Sequence, residues 1–447
     1  MIWLLFSGLL SCAQHSDSAD PTPSAADAAF VPELPTAQCG MPSYSWLSTE
    51  SMGSLLAFDD QEGLSFEQSA LASLVGSLGV GDTVGTPQNG VETFFVRYQT
   101  QDRGEAVEAT GMIVVPDAAG EYPVLLWLHP TMGFSDACAP TATGLTGAAF
   151  PLLFASMGFV VVAPDYLGMS GYAGTSNQMH PYIVGEPTAI ASIDALRALD
   201  RLVEAAPLVV TPRRDRLVLW GASQGGFAAL WADRYLPHYA PHYEAVGSIA
   251  TIPATDMLGL GQHAVTVNGP TTMALAAAQI TMNEWYRAGE SLDEIFVEGL
   301  SAQLTNLIAT ECEDFSALED LKSVEEIYTA SYIEGITNGT AEPWTCFLTE
   351  STLRERSIPL LRSTPTLMVL AEDDDLAIAS YAREDATALC AQGYRIEYVE
   401  CAGVGHVDGA VDTLQRQLTW AQDRAVGLPW DDSAACVITA PQDCSGN

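Results

Sequence analysis

A serine set among small residues opens the chemistry of this chain: Trp220-Gly221-Ala222-Ser223-Gln224-Gly225-Gly226 follows an apolar, strand-like run and precedes a helical stretch. A GxSxG in that setting is a strained strand-to-helix turn that presents the serine hydroxyl above a sheet. Its glycines answer to crowded or positive backbone dihedrals, and the helix amino terminus favours developing negative charge. Serine needs a base to take its proton and an acid to orient that base. The base expected towards the carboxyl end is His406, in Gly403-Val404-Gly405-His406, just after the strand-like Ile396 to Val399. His238, His242 and His263 follow the turn too closely and read as surface or packing residues. The acid is expected in Ala371-Glu372-Asp373-Asp374-Asp375, after the strand-like Thr366 to Leu370. Three residues after Leu370 suit the turn and favour Asp374, with Asp373 and Asp375 behind it; the bland reading of the run is a solvated loop or a calcium ligand set. Such a set would perform acyl transfer, whose oxyanion needs backbone N–H donors. The amide of Gln224 is one candidate. The other comes from His129-Pro130-Thr131-Met132-Gly133, where Pro130 has no N–H and Thr131 becomes the donor.

These residues must be held by a scaffold, and the apolar pattern describes one. Thr93 to Tyr98 and Gly111 to Val115 read as early strands. Val124 to Leu128, Phe159 to Ala163, Leu217 to Trp220, Val246 to Ala250 and Thr366 to Leu370 are short, continuously apolar runs, as in strands buried on both faces of a parallel sheet. Helical stretches, roughly Ala148 to Met157, Thr188 to Ala205, Gln224 to Tyr235 and Tyr381 to Ala391, alternate with them. The expected fold is therefore α/β with a mostly parallel sheet. From Met257 to Arg356 the alternation stops and the chain turns Ala-, Met-, Leu- and Glu-rich with helical periodicity, the texture of a cap. Met257, Leu258, Leu260, Met273, Leu275, Ile280 and Met282 suit a cover over an apolar chain, though such stripes are more often core. The expected organisation is a core in two parts, 39–256 and 357–447, around a cap at 257–356.

Of 447 residues, 48% are apolar and 16% charged, which excludes disorder of the whole chain. Seventeen Lys and Arg against 56 Asp and Glu leave a formal charge of −39, with Lys322 the single lysine. Nucleic acid is excluded as a partner by that balance. Ile2 to Leu10 followed by Leu9-Leu10-Ser11-Cys12 resembles a bacterial lipoprotein signal, so residues 1–11 are expected to be removed. Cys12 would then carry lipid and touch an outer membrane, and the Ser-, Ala-, Asp- and Pro-rich 12–38 would be a tether. The other eight cysteines show no metal-ligand spacing and suggest disulfides outside the cytoplasm. Proximity favours Cys390 with Cys401, Cys436 with Cys444 and Cys312 with Cys346, leaving Cys39 for Cys138.

The stretch Tyr122 to Gly133 with Cys138-Ala139-Pro140 resembles the secretory lipase family of α/β-hydrolases, whose pattern there is YPV, an apolar strand, HGTTG and CAP. Val162 to Gly168, His180-Pro181-Tyr182, Asp194 to Arg197, Gly221 to Gly226 and Pro253-Ala254-Thr255-Asp256 continue the likeness in order, over about residues 90 to 420. Pro130 and Ala371 stand where the family usually has glycine. The resemblance implies an ester hydrolase with a helical cap between the sixth and seventh strands, the triad roles falling on Ser223, Asp374 and His406, and no cofactor or metal. The expected function is a secreted lipase or esterase acting on lipid esters. A peptidase on the same fold and a noncatalytic surface lipoprotein are the alternatives; about ninety amino-terminal residues leave no room for the β-propeller that marks one peptidase class.

Overall fold

The computed structural model describes residues 29–77, 85–312 and 321–445. The signal segment and Cys12 lie outside them. Nine strands form one sheet: β1 Leu55–Asp60, β2 Val91–Asp102, β3 Glu105–Pro116, β4 Gly120–Leu128, β5 Val160–Pro164, β6 Val210–Ala222, β7 Ala245–Thr251, β8 Pro365–Ala371 and β9 Arg395–Cys401, in the order β1-β2-β3-β5-β4-β6-β7-β8-β9. The first four of that order pair antiparallel and the rest pair parallel.

The apolar runs form strands for the reason their composition suggests. In β4, Val124, Leu126 and Leu128 face one core while Leu125 and Trp127 face another, so both faces are covered. The helices Gly185–Ala205 and Gln224–Tyr239 cover the first face, and Leu145–Ser156 and Leu414–Ala425 the second. Because β4, β6, β8 and β9 run parallel, the loops that follow them emerge at one edge, where open α/β sheets build their sites.

The cap falls between β7 and β8 in chain order. Expected between the sixth and seventh strands, it is shifted by one because Leu55–Asp60 adds an edge strand that its mixed sequence did not announce. Its α-helices among the described residues are Met257–Ala264, Pro270–Trp285, Leu300–Thr310, Ala330–Thr337 and Trp344–Glu350.

Two expectations are corrected. The tether does not reach residue 38: Leu34 and Ala37 are buried, Trp46 Nε1 donates to the Leu34 carbonyl at 2.8 Å, and Gln38 N donates to Glu350 at 2.9 Å. The four expected disulfides are replaced by Cys39–Cys346, Cys138–Cys312, Cys390–Cys436 and Cys401–Cys444. Cys390 precedes β9 and Cys401 ends it, so an extended strand holds them roughly 20 Å apart at about 3.3 Å per residue, beyond bonding reach. The carboxyl-terminal tail instead runs beside β9, bringing Cys436 to its start and Cys444 to its end. The other two bonds each join the cap to a segment of the core.

Candidate active site

Ser223 sits between β6 and the helix Gln224–Tyr239 with φ 56° and ψ −117°, a left-handed conformation that costs a non-glycine residue about 1–3 kcal/mol. Its N–H donates to the Thr251 carbonyl at 2.9 Å, which ties the turn to β7. Two neighbours have no room for a side chain. A Cβ at Gly221 would lie 2.0 Å from the Gly225 carbonyl oxygen, and one at Gly225 would lie 1.9 Å from that of Leu128.

His406 begins the helix that follows β9, and Asp374 lies in the loop after β8. His406 Nε2 is 3.0 Å from Ser223 Oγ, and Nδ1 is 2.7 Å from Asp374 Oδ2. The other carboxylate oxygen, Oδ1, accepts from the backbone amides of Leu376 at 2.9 Å and Ala377 at 2.7 Å. A carboxylate so fixed favours the proton on Nδ1 and leaves the Nε2 lone pair facing the serine. His406 bonds the carboxylate of Asp374 and not those of its neighbours, whose backbone is held on either side: Asp373 N donates to the Val404 carbonyl, and the Asp375 carbonyl accepts from Thr271 of the cap at 2.7 Å. His238 meets the Pro359 carbonyl and His242 stands near Asp200, both remote from this set.

Behind the serine lies a buried polar network. Gln224 is the first residue of its helix, and its side-chain amide donates to His180 Nε2 at 2.7 Å, while His180 Nδ1 bonds the Leu167 carbonyl at 2.8 Å. Full burial lowers the His180 pKa to about 4, and that of His129 likewise to about 4. Tyr166 donates to the His129 carbonyl at 3.0 Å, and Asp165 accepts from Thr110 and Thr141, so this pair braces the loop that carries Thr131. Burial raises the Asp165 pKa to about 6. Thr131 Oγ1 lies 3.1 Å from the Tyr182 hydroxyl, which places the loop beside the site.

Ser223 opens into a narrow apolar cavity of about 50 Å³. Tyr182, Met257, Leu260, Leu275, Met282 and Leu376 are in its wall. Four of the cap residues singled out from sequence are therefore at the site, whereas Ile280 is buried in the core and Leu258 and Met273 pack against it. Tyr182, Leu376 and the His180 contact escaped sequence reasoning. The His180-Pro181-Tyr182 motif was visible, but nothing in its spacing ties it to Ser223. No group of three His, Cys, Asp or Glu side chains suited to a metal occurs among the described residues.

Comparison with known proteins agrees with this architecture. The family model described as "Secretory lipase" matches residues 143–432. A Mycobacterium tuberculosis protein described as a probable inactive lipase is 26% identical over 292 residues, 62% of this chain and 57% of that protein, so the chain spans somewhat over half the length of this curated relative. Among solved structures, the rice cell wall degrading esterase LipA of Xanthomonas oryzae superposes with a TM-score of 0.66 at 22% identity, over 84% of this chain and 97% of LipA. Closed Candida antarctica lipase A gives 0.65 at 17% identity, over 85% and 84%. At such identities these two show the fold alone.

Proposed function

The chain belongs to the secretory lipase family, and from that premise we propose that it hydrolyses carboxylic esters through an acyl-serine intermediate. The observation that carries the reading is the continuous contact Ser223 Oγ to His406 Nε2 to Asp374 at the mouth of an apolar cavity. His406 takes the hydroxyl proton as Ser223 attacks the ester carbonyl. The imidazolium so formed is held by Asp374, and the oxyanion receives the backbone N–H groups of Gln224 and Thr131. His406 returns the proton to the departing alcohol, then activates the water that releases the acid. Lipid esters are the substrate class this apolar wall favours, with a short or slender acyl group.

The family and the disulfide bonds are those of an extracytoplasmic protein. The proposal adds an outer-membrane anchor through lipid on Cys12, read by mass spectrometry of the amino-terminal peptide from bacterial membranes. Among the described residues no helix is long and apolar enough to cross a membrane.

The activity is tested with p-nitrophenyl esters from acetate to palmitate, using the full chain beside Ser223→Ala. Turnover lost in the variant supports the reading. Folded wild-type chain that turns over no ester would overturn it in favour of a noncatalytic role, as the name of the mycobacterial relative suggests for that protein.

A further inference from the structure

At the opposite edge of the sheet from Ser223, around the starts of β7, β8 and β9, lies a second and larger cavity of about 500 Å³. Four of the chain's sixteen arginines line it: Arg216, Arg362, Arg395 and Arg424. In a protein of formal charge −39 that concentration is the reverse of the surface at large. Glu244 is the carboxylate in the wall, and Asp432 pairs with Arg395 from its exposed side, so positive charge remains in excess.

Arg362 and Arg424 are held by backbone carbonyls, which leave their charge intact, whereas Arg395 is paired with Asp432. Arg362 donates to the carbonyls of Tyr243 at 2.9 Å and Pro241 at 3.2 Å. Arg395 stacks on Trp430, its guanidinium carbon 4.8 Å from the ring centre. Arg424 is 7% exposed, donates to the Pro429 carbonyl at 3.3 Å and lies against Trp420. Its Nε is buried and meets no hydrogen-bond partner among the described residues. At Gly427, with φ 79°, an added Cβ would stand 3.3 Å from Arg216 Nη2, so the turn fits closely over that guanidinium.

We propose that this cavity binds a small organic phosphate. Four arginines lining one volume suit an anion with more acceptor oxygens than a single carboxylate has. The volume lies in the range of small-molecule sites, and Trp430 and Leu428 give it an apolar side, which fits a phosphate ester better than the bare ion. The phosphate comes from a soluble ester or from a phospholipid headgroup.

Two arms of one experiment separate these sources. Calorimetric titration of the full chain with glycerol 3-phosphate reads the soluble ester. Flotation with phosphatidylglycerol against phosphatidylcholine vesicles reads the headgroup. Binding in either arm, saturable and weakened by salt, is expected. Arg216→Gln and Arg362→Gln are each expected to weaken it about tenfold or more, the weight of one charge-assisted hydrogen bond, while p-nitrophenyl butyrate hydrolysis stays at the wild-type rate. Arg216 is half-buried, so its variant is expected to fold, which its melting temperature checks. No binding in either arm, or binding unchanged in both variants, would overturn the proposal.

Discussion

Gln224 and His180, separated by 44 positions in sequence, meet through a 2.7 Å side-chain hydrogen bond directly beneath Ser223. His180 Nδ1 faces a carbonyl and therefore carries the proton, so Nε2 accepts from the Gln224 amide. The bond fixes the residue whose backbone N–H is the proposed oxyanion donor. His180→Ala is expected to lower kcat by about tenfold to a hundredfold with KM little changed, because the loosened turn misplaces that donor. Steady-state kinetics on p-nitrophenyl butyrate check this, and a change confined to melting temperature would reduce the contact to a structural one.

The three consecutive aspartates after β8 are expected to behave unequally. Asp374→Asn keeps the shape but disfavours the Nδ1-protonated imidazole, and a loss of kcat of roughly a thousandfold or more is expected. Asp373→Asn and Asp375→Asn should stay within about threefold of wild type, since neither meets His406. Equal losses in all three, measured as kcat, would remove Asp374 from its proposed role.

The width of the cavity leads to a chain-length prediction. About 50 Å³ is small beside the several hundred of typical small-molecule sites, so esters of short acids are expected to give the highest kcat/KM. Met282→Ala and Leu275→Ala should move the optimum to longer chains. The p-nitrophenyl series run on both variants is the check, and an unmoved optimum would place the acyl group elsewhere.

Covalent tethering of the cap gives another. Cys39–Cys346 and Cys138–Cys312 bind it to the core across sequence separations of 307 and 174. Replacing either pair by serine is expected to destabilise the chain by about 2–5 kcal/mol, read by denaturant unfolding. A cap held twice is also expected not to swing open at an oil surface, so the rate on tributyrin should rise smoothly through the solubility limit. A sharp jump there would mean that the cap moves despite its bonds.

Glu186, buried beneath the amino-terminal segment, sets a pH dependence of stability. Burial raises its carboxyl to about 8, with Tyr44 donating to one oxygen. The folded chain thus binds a proton that the unfolded chain releases near 4.5, so this contribution is complete below about 4.5 and is lost as pH rises through about 8. Glu186→Gln is expected to flatten the decline in melting temperature between pH 6 and 8, and an identical decline in the variant would assign it to other groups, Asp233 foremost, whose carboxyl burial raises to about 7.

The alternation of apolar runs and helices and the strained Ser223 turn were legible in the sequence because each is a local pattern, and Asp374 and His406 were candidates because each follows a strand-like run. β-Strand burial on both faces demands unbroken apolar runs, and the turn demands Gly221 and Gly225 wherever the rest of the chain goes. What tertiary structure alone decided are meetings between distant segments. The disulfide partners follow from which ends of β9 the tail passes, and proximity in sequence misjudged them because an extended strand separates its ends. The choice of Asp374 among three equal carboxylates depends on its contact with His406 and on two amides, and the His180 contact and the arginine-lined cavity depend on strands and loops arriving together at opposite edges of the sheet. A sequence carries such relationships only through the fold, since side chains tens of positions apart have no local term that couples them.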